Sequence, residues 1–191
     1  MEKPTEAIID EIFALYEKHG ADNYIGEKIS QIEHMCQAAQ LAQGGGFDDE
    51  VILAAFFHDL GHLLKPHDEN EMGGYGVTDH EKLGADYLRS KGFSETIARL
   101  VESHVEAKRY LTFANKDYYN SLSEASKKTL EYQGGPMNAE EAKRFEDDDL
   151  FELKVQLRLW DEQAKLQHIP LPDLAYYKSL AAENLLKNKN N

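Results

Sequence analysis

An all-α, single-domain fold is predicted for this chain of 191 residues by three observations. Apolar residues recur at helical spacing along most of the chain. Period-two alternation is almost absent. The Ser/Thr/Asp/Asn-x-x-Glu pattern that starts helices returns several times. The length suits one domain with a sizeable core, expected over about residues 30–165, with a helix and loop at 4–29 before it and a helix at 172–187 after it.

Ile8, Ile9, Ile12, Phe13 and Tyr16 make the apolar face of a first helix from about Thr5 to His19, which Gly20 ends. A loop follows from Ala21 to Ile29 and contains Tyr24, Gly26 and Glu27. Ser30-Gln31-Ile32-Glu33 has capping-box form and opens a second helix that carries His34 and breaks at Gly44-Gly45-Gly46. Asp48 caps a third helix, with Phe47 and Ile52 placed as a hydrophobic staple, and His58 and Asp59 lie within that helix. Lys65 to Val77 is a long connection rich in Gly and polar residues, a length that often accompanies function.

Thr78-Asp79-His80-Glu81 has capping-box spacing and opens a fourth helix that stops at Gly92. Ser94 opens the fifth, which holds Ile97, Leu100, Val101, His104, Val105 and Lys108. Tyr110 to Ser123 reads as irregular or partly helical. A short helix covers roughly Glu124 to Tyr132, ended by Gly134-Gly135-Pro136, and Asn138 to Glu141 is another capping box. Asp148 or Asp149 starts a strong helix through Leu150, Leu153, Leu157, Trp160, Asp161 and Ala164. Pro172 starts the last helix, and the tail from Lys187 to Asn191 is expected to fray.

Composition narrows the function. The formal net charge of -14, without a dense basic run, argues against nucleic acid as a partner. The single cysteine, Cys36, excludes an intramolecular disulfide and fits a reducing compartment. No apolar run is long enough to span a membrane, and the N-terminus lacks the apolar stretch of a signal peptide, so a cytoplasmic protein is expected. Oligomeric state is left open.

Polar residues on apolar helical stripes carry the chemistry. His34 shares a stripe with Ala38 and Leu41, His80 starts the stripe of the fourth helix, and His104 and Lys108 lie on that of the fifth. Asp161 sits on the stripe of the late helix, and the third helix contributes both His58 and Asp59. A lone histidine on such a face is usually a satisfied core residue, and Asp161 could pair with nearby Arg158. Four histidines and two aspartates turned inward together are satisfied collectively by metal, with neutral imidazoles and ionised carboxylates as ligands. Six ligands suit two ions better than one that must leave room for substrate. Neighbouring helical residues diverge by about 100 degrees, so Asp59 can reach between two ions. Imidazole suits Fe, Zn or Ni; mixed His/carboxylate sites with open positions suit Fe or Mn. No cysteine cluster supports structural zinc.

These residues carry a resemblance. His34, His58-Asp59 and Asp161 follow the H…HD…D signature, which is similar to that of the HD-domain superfamily, and the added His80 and His104 resemble its dinuclear subset. The resemblance implies an HD-domain helical bundle. One ion would take His34, His58, Asp59 and Asp161, the other His80 and His104, with Asp59 bridging. Most HD proteins are phosphohydrolases, and a smaller branch contains mixed-valent diiron oxygenases. Over nearly its whole length the chain resembles, within that branch, the enzymes that cleave the C–P bond of 2-amino-1-hydroxyethylphosphonate. Tyr24-Ile25-Gly26-Glu27 resembles that family's lid, His62 stands one turn after His58, and the segment from Glu124 to Pro136 resembles its phosphonate-side wall.

The resemblance implies two Fe ions in an Fe(II)/Fe(III) state, O2 and a small organophosphonate as partners, and glycine and inorganic phosphate as products. Tyr24 would close the substrate-free iron and Glu27 would receive the substrate amine. His62, Lys108, Ser126, Thr129 and Gln133 would hold the phosphonate. The residues agree physically: Lys108 is at i+4 from His104, and Ser126 and Thr129 lie at i, i+3 with Gln133 continuing their face. A buried lysine calls for an anion. Two alternatives remain: the same chemistry on the N-trimethylated hydroxyphosphonate, giving glycine betaine, and a dinuclear HD phosphohydrolase.

Overall fold

In a computed structural model of the chain, residues 4–24, 26–64, 72, 74 and 76–189 are described. Met1 to Lys3, Ile25 of the early loop, most of the connection expected from Lys65 to Val77, and Asn190 and Asn191 of the tail lie outside the described residues. The described residues form eleven α-helices: α1 Thr5–His19, α2 Gln31–Gly44, α3 Asp49–Phe57, α4 Leu60–Leu63, α5 His80–Lys91, α6 Glu95–Ala114, α7 Lys116–Ser121, α8 Glu124–Tyr132, α9 Ala139–Glu146, α10 Phe151–Gln163 and α11 Leu174–Lys189. Among the described residues no strand occurs; one isolated antiparallel bridge joins Asn23 to Ser30 and closes the 21–29 loop.

Local chemistry accounts for most boundaries. Ser30 and Asn138 head complete capping boxes with Glu33 and Glu141. Asp48 and Ser94 accept from the backbone N–H groups of Val51 and Ile97. Gly92 ends α5 in the left-handed region, where glycine has no Cβ penalty.

Five expectations need correction. The helix through His58 and Asp59 is broken: α3 ends at Phe57 and α4 begins at Leu60. The capping box at Thr78 does not form; Asp79 is the N-cap at φ 55 without a side-chain cap bond, so its backbone rather than a side chain turns the chain into α5. α6 continues to Ala114 and α7 follows, so 110–123 is largely helical. α10 starts at Phe151, because Asp148 and Asp149 are engaged by Arg99, and Asp148 also by Lys154. Similarly α11 starts at Leu174, after Asp173 accepts from the Ala175 N–H.

α3 is apolar all round and lies at the centre, with Leu53, Ala54, Ala55, Phe56 and Phe57 wholly buried. α2, α6, α10 and α11 pack around it, and α5 lies on α6 and α4. Phe56 stacks between Tyr16 of α1 and Tyr177 of α11, at centroid distances of 4.8 and 4.5 Å. The Tyr16 hydroxyl donates to the Phe56 carbonyl, one of the last carbonyls of α3 that lack an intrahelical partner. These contacts fix the terminal helices on one side of α3 and leave its C-terminal end to the polar residues. No helix among the described residues is long and apolar enough to cross a membrane.

Candidate metal centre

His58 and Asp59 stand at the break between α3 and α4. His58 is still helical, whereas Asp59 has φ -103 and ψ 13, in the sparsely allowed bridge region. α4 is held against the start of α5 by a backbone approach that only glycine permits. A Cβ on Gly61 would lie 1.9 Å from the His80 carbonyl oxygen, and one on Gly84 would lie 3.2 Å from the Gly61 nitrogen. The HDxGH run therefore brings Asp59 and His80 together through its glycine as well as its ligands.

Four imidazoles share one orientation rule. Nδ1 of His34, His58, His80 and His104 lies 2.8, 2.8, 3.1 and 2.8 Å from the carbonyls of Ala164, Ala55, Val77 and Val101. A carbonyl only accepts, so each Nδ1 carries hydrogen and each neutral ring presents a bare Nε2. Those Nε2 atoms face each other in pairs: His34 to His58 at 3.0 Å and His80 to His104 at 3.0 Å. Two lone pairs at that distance repel unless a cation stands with them.

Asp59 serves both pairs. Its Oδ2 lies 3.4 Å from Nε2 of His34 and of His58, and its Oδ1 lies 3.4 Å from Nε2 of His80 and of His104. Asp161 joins the first pair, with Oδ1 3.4 Å from His34 Nε2 and otherwise buried without a hydrogen-bond partner. Its Oδ2 is taken by Arg158, which also pairs with Glu162 and donates to the Tyr118 hydroxyl at 2.8 Å. So Asp161 both pairs with Arg158 and keeps one oxygen for the centre.

The charges fit cations. Burial pushes the Asp59 and Asp161 carboxyls up, but the neighbouring imidazoles, and Arg158 for Asp161, outweigh it and hold both well below the usual carboxylate range. Burial likewise pushes His34 down, and the two carboxylates reverse it, lifting the ring to about 9. A proton there is what a metal-free centre substitutes for an ion. The donor set therefore suits two ions: one at His34, His58, Asp59 and Asp161, the other at His80, His104 and Asp59 with positions to spare. Asp59, His62 and His80 also offer three ligand atoms within 4.8 Å of one another.

The open side faces a pocket. Tyr24, Glu27, His62, Lys108, Ser126, Thr129 and Gln133, all expected at the substrate, line it together with Asp59, His80, His104 and Asp161. Tyr24 stacks on His34 at 3.9 Å between centroids; burial, then the Asp161 and Asp59 carboxylates, keep its phenol protonated. His62 stacks on His80 at 3.9 Å, and its Nδ1 accepts from the Val77 N–H at 3.3 Å. Burial and then its imidazole neighbours push its pKa well down, so the ring is neutral with an Nε2–H donor. Lys108 is 3% exposed and donates to Thr129 at 2.9 Å.

Gln31, Arg158 and Lys165 also line the pocket, and the sequence did not single them out for it. Gln31 precedes His34 by three residues, and Lys165 follows Asp161 by four, the spacing that separates His104 from Lys108. That spacing was the available signal for Lys165, weakened because α10 stops at Gln163.

Residues 31–150 match the HD domain family. The chain is 44% identical over 184 residues to an uncharacterized protein of Acanthamoeba polyphaga mimivirus, covering 96% of this chain and 84% of the other. It is 39% identical over 170 residues to hydroxymethylphosphonate dioxygenase of Gimesia maris, covering 88% and 84%. It is 35% identical over 175 residues to [1-hydroxy-2-(trimethylamino)ethyl]phosphonate dioxygenase (glycine-betaine-forming) of Leisingera caerulea, covering 89% and 86%.

Proposed function

The chain belongs to the HD-domain family, and on that premise we propose that it is a diiron oxygenase that cleaves the C–P bond of 2-amino-1-hydroxyethylphosphonate, giving glycine and inorganic phosphate. The reaction balances with O2 alone, since substrate and O2 together contain every atom of the two products. The single observation that carries this reading is the half-open His80/His104/Asp59 position facing a pocket with a buried lysine. The two named dioxygenases among its relatives support phosphonate as the substrate class.

When bound, two irons at the His/Asp positions would supply the O2 chemistry and a Lewis-acidic anchor for substrate oxygens. The chain's own residues bind and orient. Lys108 gives the phosphonate a point charge, and Thr129, already on its ammonium, adds a hydroxyl. Ser126 and Gln133 line the same pocket, and His62 adds its Nε2–H. Gln133 Oε1 and Glu27 Oε1 are buried without hydrogen-bond partners; Glu27 receives the substrate's ammonium. Tyr24, stacked on His34, covers the pocket and keeps water out of it until substrate displaces the ring.

Incubating the iron-loaded protein with 2-amino-1-hydroxyethylphosphonate under O2 tests this. Phosphate and glycine in equal amounts, with one O2 consumed per phosphate, are expected. Phosphate release that persists without O2 would mean hydrolytic C–P cleavage instead, and phosphate from a nucleoside monophosphate but not from this compound would mean a phosphohydrolase. Turnover only of hydroxymethylphosphonate or of the trimethylated compound would move the substrate and leave the chemistry.

A further inference from the structure

Lys165 lies just past α10, beside Ala164, whose carbonyl holds the His34 ring. Its ammonium joins three elements. It is 3.0 Å from Glu162 Oε2, 3.3 Å from Ser126 Oγ on α8 and 3.6 Å from Glu27 Oε1 in the 21–29 loop. The loop backbone rests on the same helix. Gly26 has φ +80, and a Cβ there would lie 2.4 Å from Ala125 Cβ. Glu27 thus approaches the wall that carries Ser126 with Lys165 between them.

The two carboxylates are held unequally. Glu162 has Lys165 at hydrogen-bond distance and Arg158 besides. Glu27 has Lys165 only at the longer ion-pair distance of 3.6 Å, and its Oε1 is buried with no partner at hydrogen-bond distance. A buried carboxylate oxygen in that state gains from any donor that enters. Lys165 can release Glu27 and still keep its own partner.

Resting on the reading above, we propose that Lys165 is the counter-ion of Glu27 in the substrate-free pocket, that a cationic side arm of the substrate replaces it, and that Lys165 thereby sets the preference between cationic and neutral hydroxyphosphonates. A substrate ammonium competes with a cation already present. A neutral arm leaves the Glu27–Lys165 pair intact. Specificity is a difference of two affinities; whatever Lys165 does beside Ser126 is common to both probes, whereas its pairing with Glu27 weighs on the cationic one alone.

The test is anaerobic calorimetry on the iron-loaded protein, with 2-amino-1-hydroxyethylphosphonate and hydroxymethylphosphonate as probes. Lys165→Met frees Glu27 and should shift the affinity ratio toward the amino compound by roughly tenfold. Lys165→Arg should restore the wild-type ratio, and Glu27→Gln should cancel the shift in the double variant. A ratio that is unchanged or reduced in Lys165→Met, or a shift that survives Glu27→Gln, overturns the proposal while leaving the substrate class intact. Wild-type protein that binds neither probe overturns the underlying reading and this proposal with it.

Discussion

Burial pushes the Lys108 ammonium from its ordinary 10.5 down to about 7, and Arg158 adds to it. The unfolded chain therefore binds more protons between those values than the folded one. Below pH 7 the cost of the buried charge is fully present, and the substrate-free protein gains stability as pH rises from about 7 toward 10.5. On the proposed reading, a bound phosphonate restores the charge, so above pH 7 binding takes up a proton. The dissociation constant should then rise toward about tenfold per pH unit, while Lys108→Arg should show a flat profile above pH 7. Lys108→Met should weaken binding by roughly 10- to 100-fold at pH 6.5, with little change in metal content. At this scale the members of the buried His/Asp cluster were legible because a polar residue on an apolar stripe stands out, as His104 does among Leu100, Val101 and Val105. Gln31 and Lys165 were not, since each sits where polar residues are ordinary: a helix start and a loop.

Between residues and the molecule, the Gly61 crossing is the most exposed to test. Gly61→Ala would drive a methyl into the His80 carbonyl, so α4 and α5 must part. Only His80, of the second imidazole pair, starts α5. On the two-ion reading proposed above, metal analysis should find the bound metal falling from two ions toward one, and overpacking should lower stability by about 1–3 kcal/mol. Retention of two ions would show that α5 can shift without losing its ligand. Capping chemistry read α2 and α9 correctly from Ser30 and Asn138. It failed at Thr78, where the left-handed Asp79 backbone makes the turn instead. The break after Phe57 was hidden for another reason. No Gly or Pro stands between Val51 and Leu60 to mark it, and the interruption goes with the close packing of α4 on α5 at Gly61.

Across the whole molecule, the all-α class follows from signals within each segment, so the fold was readable in advance. The pocket was less so, because it gathers side chains from Tyr24 to Lys165, and no single window contains it. On the proposed metal reading, the same gathering makes ions part of stability. A chelator leaves two pairs of facing imidazoles and two buried carboxylates to be satisfied by protons alone. Ions present at about a thousandfold over their dissociation constant contribute about 4 kcal/mol. Their removal should lower Tm by on the order of 10 °C for a chain of this size, read by differential scanning calorimetry. An unchanged Tm would mean that the centre is held by packing without its ions.

Trp160, the only tryptophan in the chain, sits on α10 next to Asp161 and meets Phe47 edge-on at 4.8 Å. Each imidazole pair joins residues 24 apart, whereas the Ala164 carbonyl is 130 residues from the ring it holds. Closing the longer loop costs more chain entropy. Both pairs can therefore form before α10 arrives, and the strand of contacts through Trp160 is the last to zip. In stopped-flow refolding, tryptophan emission should trail the far-ultraviolet helix signal. Coincident traces would instead make α10 part of the folding nucleus.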